Sequence, residues 1–176
     1  MGHIHTKPGE HDHTASAFIV NVSSGEPKII LHMHKKLHKL LQFGGHIETL
    51  ETPWQAVTHE ILEESGYEMS QLKILQPKGR LEVAPGSVVH PAPIYHQTHP
   101  FSEDHFHTDV AYAFVTTEEP LHPVADDELG LLREFTRQEL VELPDDEIFE
   151  SVRSACIYVF DVCLPEWEQL ETSTFV

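Results

Sequence analysis

The amino-acid sequence predicts an α/β domain in which helices cover a sheet, and three observations carry that expectation. Strand-like apolar runs are interleaved with segments of helical periodicity along the chain. One helix, in the first third of the sequence, is marked at both ends by its own capping residues. The chain has 176 residues, 40% of them hydrophobic, which suits one domain and suffices for a core without disulfide staples. The expectation is therefore a single domain over 1–176, with residues 1–13 as a candidate flexible, His-rich N-terminus.

Ser16 to Val22 (SAFIVNV) is rich in β-branched and aromatic residues and reads as a strand. SSGEP is a turn, and Lys28 to His32 (KIILH) reads as a second strand, so the two form a hairpin. His34 to Leu41 reads as a polar connection, and Gln42 to Ile47 carries the Gly44–Gly45 pair. The helix follows. Thr52 is placed to cap it, Pro53 occupies its first position and Gln55 its third, the capping-box pattern. Trp54, Val57 and Ile61 make the apolar stripe, and Gly66 suits a left-handed C-terminal cap. Leu72 to Val83 predicts one or two strands, Ala84 to Asp104 a long loop with four prolines, Phe106 to Thr116 a strong strand and Leu131 to Phe135 a short one. Thr136 caps a short helix through Leu143, and Asp145 caps a long helix that Pro165 ends or kinks.

Composition restricts the function. The formal net charge is −18, from 29 acidic and 11 basic residues. Nucleic-acid binding through a basic surface is disfavoured, because it relies on Lys and Arg neutralising phosphates. A phosphorylated ligand would be repelled unless a bound cation reversed the local field. No apolar stretch approaches the roughly 20 residues that cross a bilayer, so no membrane partner is expected. The polar opening MGHIHTKPGEHDH predicts no secretory leader. Two cysteines, Cys156 and Cys163, make no disulfide framework, so a reducing cytoplasm is expected. The 15 histidines include pairs two residues apart: His3/His5, His11/His13, His32/His34 and His105/His107. Two readings stand. The histidines are solvated, or some form a second, zinc-type site, since alternate residues of a strand share a face and imidazole suits zinc.

The chemistry lies in Gly44 to Tyr67, GGHIETLETPWQAVTHEILEESGY. Glu60, Glu63 and Glu64 stand at i, i+3 and i+4 of the predicted helix and so crowd one face. Like charges at that spacing cost about 0.2–0.5 kcal/mol per pair. A solvated acidic face is the plain reading of three glutamates alone. A divalent cation would convert the crowding into a ligand set, and Mg²⁺ takes a few carboxylates together with water and phosphate oxygens.

With Glu51 ahead of the cap and Gly66 after the helix, the segment closely resembles the Nudix box: Gly, five residues, Glu, seven residues, Arg-Glu, an apolar residue, any residue, Glu-Glu, any residue, Gly, apolar. The matching positions are Gly45, Glu51, Glu60, Ile61, Glu63, Glu64, Gly66 and Tyr67, and His59 stands where the family has Arg. Weaker resemblance extends to the HMHKKLHKLLQFGGH lead-in, the HTDVAYAF strand and the LLREFTRQELVELPDDE segment. The resemblance implies a Nudix-type α/β/α sandwich with a mixed sheet and a loop–helix–loop metal site. It implies Mg²⁺ or Mn²⁺ held by Glu60, Glu63 and Glu64 with the Gly45 carbonyl, and Glu51 in support. The implied reaction is attack of water on phosphorus in a nucleoside-diphosphate-linked small molecule, with Glu63 or a residue outside the box taking the proton. The family Arg fixes a box glutamate through charge-assisted hydrogen bonds. Histidine has fewer donors, and either holds Glu51 or Glu60 in its place or marks impaired or remodelled catalysis.

Outside the box, Tyr95 is a candidate to stack on a base, and His96, His99, Lys35 and Lys36 are candidates to meet phosphate. Glu103, Asp104 and Glu128 are candidate extra ligands or bases, and Asp109 is either buried with a partner or aimed at the site. Trp54 reads as core. The rival class is a catalytically weak Nudix-fold nucleotide-binding or regulatory module, for which His59 is the only hint. An isoprenoid-diphosphate isomerase would want a reactive cysteine in the site, whereas both cysteines fall in the late helix. RNA-end hydrolysis is disfavoured by the acidity. A homodimer is left open.

Overall fold

The computed structural model describes residues 9–80, 89–124 and 129–175. Among them one nine-stranded mixed sheet has the order β3-β2-β1-β7-β5-β9, with β4 and β8 joining through β1 and β2 and β6 joining through β7. β1 (His11–Asn21) is the axis. Its later half pairs antiparallel with β2 (Lys28–His34), and its earlier half with β4 (Phe43–His46). Along its whole length it runs parallel to β7 (His105–Thr116).

Alternation along β1 and β7 sends successive side chains to opposite layers. Ala15, Ala17, Ile19, Tyr112 and Phe114 pack with Trp54, Val57 and Ile61 of α1 (Pro53–Ser65). Phe18, Val20, Ala111, Ala113 and Val115 pack with Val152, Ala155 and Cys156 of α3 (Glu150–Tyr158) and with Val159 and Cys163 of the π-helical turns that continue it (Val159–Cys163). This is the expected α/β/α sandwich.

The cap residues of α1 behave as read. Thr52 accepts a hydrogen bond from the Gln55 N–H, the Gln55 side chain accepts from the Thr52 N–H, and Gly66 is left-handed at φ 75°. The short helix α2 (Arg137–Glu142) likewise starts at Thr136 in a capping box with Glu139.

Other boundaries differ from expectation. β1 begins at His11, so the end of the proposed N-terminal tail is paired strand; residues 1–8 lie outside the described residues. The polar connection contains a short strand, β3 (Lys39–Leu41). The Leu72–Val83 segment yields β5 (Lys73–Gln76), and its last residues lie outside the described ones. The proline-rich loop contains β6 (Tyr95–Ser102), paired antiparallel with β7. Pro100 is tolerated there because β6 is an edge strand and the register slips between Pro100 and Ser102. β8 spans Leu129–Phe135.

The late helix starts at Glu150, five residues after Asp145. The intervening residues form a turn, closed by Glu147 N–H on Pro144 O, that is held against β3 by Leu40 N–H on Glu147 O and by the Ile148–Leu40 bridge. Pro165 sits in the final turn, α4 (Leu164–Glu166). The polar segment beyond it forms β9 (Glu168–Glu171), an edge strand with no apolar alternation to betray it. Among the described residues no helix is long and apolar enough to cross a membrane.

Candidate active site

Two glycines and one helix face make the candidate site. β4 delivers Gly44 and Gly45 against the C-terminal half of α1. The Gly44 N–H donates to Glu64 Oε2 at 2.7 Å, a charge-assisted bond at the short end of its range. Gly45 lies against the Glu60 carboxylate so closely that a Cβ there would collide with it. Gly44 has φ 138° and backs onto the Ala15 carbonyl, with no room for a side chain either. Glu60 and Glu64 are both buried, at 4% and 8% exposure, whereas Glu63 is exposed on the same helix. Glu60 and Glu64 thus lie beneath the glycine pair, and Glu63 stands exposed on the same helix.

His59 and Glu51 form the supporting tier. His59 Nδ1 lies 2.7 Å from Glu51 Oε1, and its Nε2 lies 3.4 Å from Glu60 Oε1. The other Glu51 oxygen accepts from the Glu48 N–H at 3.0 Å, so Glu51 ties the loop before the helix to the helix itself. One imidazole therefore reaches both glutamates named for it from the sequence. Burial pulls the His59 pKa down, but the Glu60 charge and the Glu51 hydrogen bond outweigh it and leave the imidazole above its ordinary value.

The sequence-predicted residues outside the box are more dispersed. Tyr95 is half-buried on β6. Its ring stands edge-on to Phe18, and its hydroxyl donates to Asp109 Oδ2 at 2.9 Å. His96 and His99 are exposed on β6, and Lys35 and Lys36 are exposed in the β2–β3 turn. Glu103 and Asp104 are exposed between β6 and β7; Glu128 lies outside the described residues. Trp54 is core, its Nε1–H donating to the Phe175 carbonyl.

Asp109 resolves as a buried acceptor. Thr14 and Ser16 hydroxyls donate to Oδ1 at 2.8 and 3.0 Å, opposite Tyr95 on Oδ2. Burial raises its pKa against the lowering effect of those three donors. A residue the sequence reading missed is Asp12, at 0% exposure beside His46, His105 and His107. The alternation of His105 and His107 was legible, but the parallel pairing of β1 with β7 that brings Asp12 to them is non-local.

The family model of the NUDIX domain matches residues 12–153. A crystal structure of a NUDIX-family hydrolase from Clostridium perfringens superposes with TM-score 0.69 at 26% identity, over 87% of this chain and 98% of that one. A NUDIX hydrolase from Nitrosomonas europaea follows with TM-score 0.61 and 19% identity, over 92% and 94%. An Ap4A hydrolase from C. elegans, in a binary complex, gives TM-score 0.57 and 16% identity, over 86% and 97%. No curated protein matches the chain by sequence. The class defined by the family match and the fold is that of hydrolases acting on pyrophosphate bonds. This chain belongs to the Nudix family.

Proposed function

We propose that this Nudix chain hydrolyses a phosphoanhydride bond in a nucleoside-diphosphate-linked small molecule, using Mg²⁺ or Mn²⁺ held by Glu60, Glu63, Glu64 and the Gly45 carbonyl. The observation that carries the reading is the seating of two buried carboxylates against consecutive glycines that admit no side chain. The donor set is all oxygen, the kind a hard divalent cation takes, and a chain of charge −18 needs such an ion to hold a polyphosphate. When bound, the ion would neutralise phosphate charge and lower the pKa of the attacking water.

The chain's own residues supply position. Gly44 N–H fixes Glu64, Glu51 and His59 hold the pre-helix loop and Glu60 in register, and exposed Glu63 is the group free to take a proton from water. Lys35 and His96, both exposed, are assigned to the substrate phosphates, and the half-buried ring of Tyr95 to the substrate base. With both cysteines unbridged and buried, a reducing cytoplasm remains the assigned compartment.

The test is product release from a panel of nucleoside triphosphates, nucleotide sugars, ADP-ribose and dinucleoside polyphosphates with Mg²⁺. The last class is included because one fold relative is an Ap4A hydrolase. Turnover of a panel member, nearly abolished by Glu63→Gln and by Glu64→Gln, is expected. Tight binding of a nucleotide with no turnover would establish the binding-module reading instead.

A further inference from the structure

We propose a second metal site, of the zinc class, built by Asp12, His105 and His107 with His46 as the fourth ligand, on the sheet face opposite the box glutamates. Register places the four together. Asp12 of β1 is paired with His107 of β7, and His105 lies two residues back on the same face. His46 of β4 pairs with Thr14, itself two residues from Asp12. Gly45, one residue from His46, faces α1 and Glu60 instead. The backbone between them separates this cluster from the glutamates.

The spacing fits a metal better than an ion pair. Ligand atoms of Asp12, His105 and His107 all lie within 4.8 Å of one another. One oxygen, Asp12 Oδ2, is approached by His105 Nε2 at 3.2 Å and by His46 Nε2 at 3.4 Å. With zinc–ligand bonds of about 2.0–2.2 Å, the edge of a tetrahedral site is about 3.3–3.6 Å. Among the described residues the two histidine–carboxylate hydrogen bonds are shorter, 2.7 Å for His59–Glu51 and 2.8 Å for His122–Glu68, and only the His59–Glu60 contact is as wide, at 3.4 Å. The Nε2 atoms of His46, His105 and His107 are all shielded from solvent, and Asp12 is fully buried. A buried carboxylate among imidazoles is a donor set for zinc rather than for Mg²⁺, which prefers oxygen alone. Bound there, the ion fastens β4 and the start of β1 to the β6–β7 hairpin, behind the glycines of the active site.

Zinc content of the untagged full chain tests this, together with the visible spectrum of the Co²⁺-loaded protein, which reads coordination in the wild type without any variant. About one zinc per chain and the intense bands of tetrahedral Co²⁺ are expected. His105→Gln and His107→Gln, each checked for folding by near-ultraviolet circular dichroism, should lower zinc affinity about 10-fold or more. Glu64→Gln should leave it unchanged, as should a His3→Gln/His5→Gln double variant. The proposal is overturned if the wild type takes up no zinc, if Co²⁺ gives only weak octahedral bands, or if zinc disappears with His3 and His5 while surviving the loss of His105.

Discussion

Replacing Gly45 by alanine separates the function of the glycine–glutamate cradle from its contribution to the fold. Gly45 is not in the left-handed region, so alanine adds no backbone strain there. What the new Cβ meets is the end of one side chain, the Glu60 carboxylate. That carboxylate must swing off its rotamer, at a cost of about 0.5–1.5 kcal/mol. In a domain of this size that is a fall in Tm of about 1–6 °C. The proposed ligand, however, is lost from its place, so the Mg²⁺ needed for half-maximal turnover should rise about 10–100-fold. Gly44→Ala is the contrast. Its φ of 138° is hostile to alanine, and its Cβ collides with the Ala15 carbonyl, which is backbone and cannot swing away. It should cost about 1–3 kcal/mol in strain alone and lower Tm more than Gly45→Ala. The assays are thermal unfolding with chelator present and turnover against Mg²⁺ concentration on the best panel substrate. An unchanged Mg²⁺ dependence in Gly45→Ala would refute the reasoning.

Further outcomes follow from the same geometry. His59→Arg restores a longer donor to Glu51, and kcat/KM should change less than about tenfold; a loss of several orders of magnitude would assign the imidazole a specialised role. Gly66→Ala meets both a φ of 75° and the His122 carbonyl, so unfolding should come easier by at least about 1–2 kcal/mol with kcat unaltered. Burial raises the Cys163 thiol from 9.0 to about 12, and burial with the nearby Glu119, Glu134 and Glu118 charges raises Tyr67 from 10.0 to about 12. Their folded pKa values exceed the unfolded ones, so their stability is fully present below pH 9 and is lost as pH climbs from 9 toward 12. Tm should fall steadily across that window, and at pH 8 a thiol reagent should label two cysteines only after denaturation. Arg153→Met removes the donor to the Leu140, Val141 and Leu143 carbonyls and to Asp145, and should cost about 2–5 kcal/mol by chemical denaturation.

What was legible in the sequence was local. The cap of α1 is written in Thr52, Pro53, Gln55 and Gly66, all within one helix length, and the placing of Glu60 and Glu64 one turn apart on the buried face follows from helical spacing. The same holds for Thr136 and α2. The elements that escaped notice are defined by partners far along the chain. β6 exists because β7 offers an edge to a proline-bearing segment, and β9 because β5 does. The start of α3 is delayed by the Ile148–Leu40 bridge, so the capping propensity of Asp145 lost to a tertiary contact. Asp12 carries no motif of its own. Its meaning appears only when a parallel pairing sets it beside His107. Tyr95 and Asp109 were each visible, but their mutual hydrogen bond, which takes the tyrosine hydroxyl inward, comes from the β6–β7 register.

The most direct check is to titrate Mn²⁺ into chelator-treated protein and follow the free ion by electron paramagnetic resonance, for the wild type, for Glu60→Gln/Glu64→Gln and for His105→Gln. If the acidic helix face and the glycine pair hold the catalytic ion, the wild type and His105→Gln bind alike and the double glutamine variant binds at least about tenfold more weakly. Equal binding by the wild type and the double glutamine variant would contradict the account.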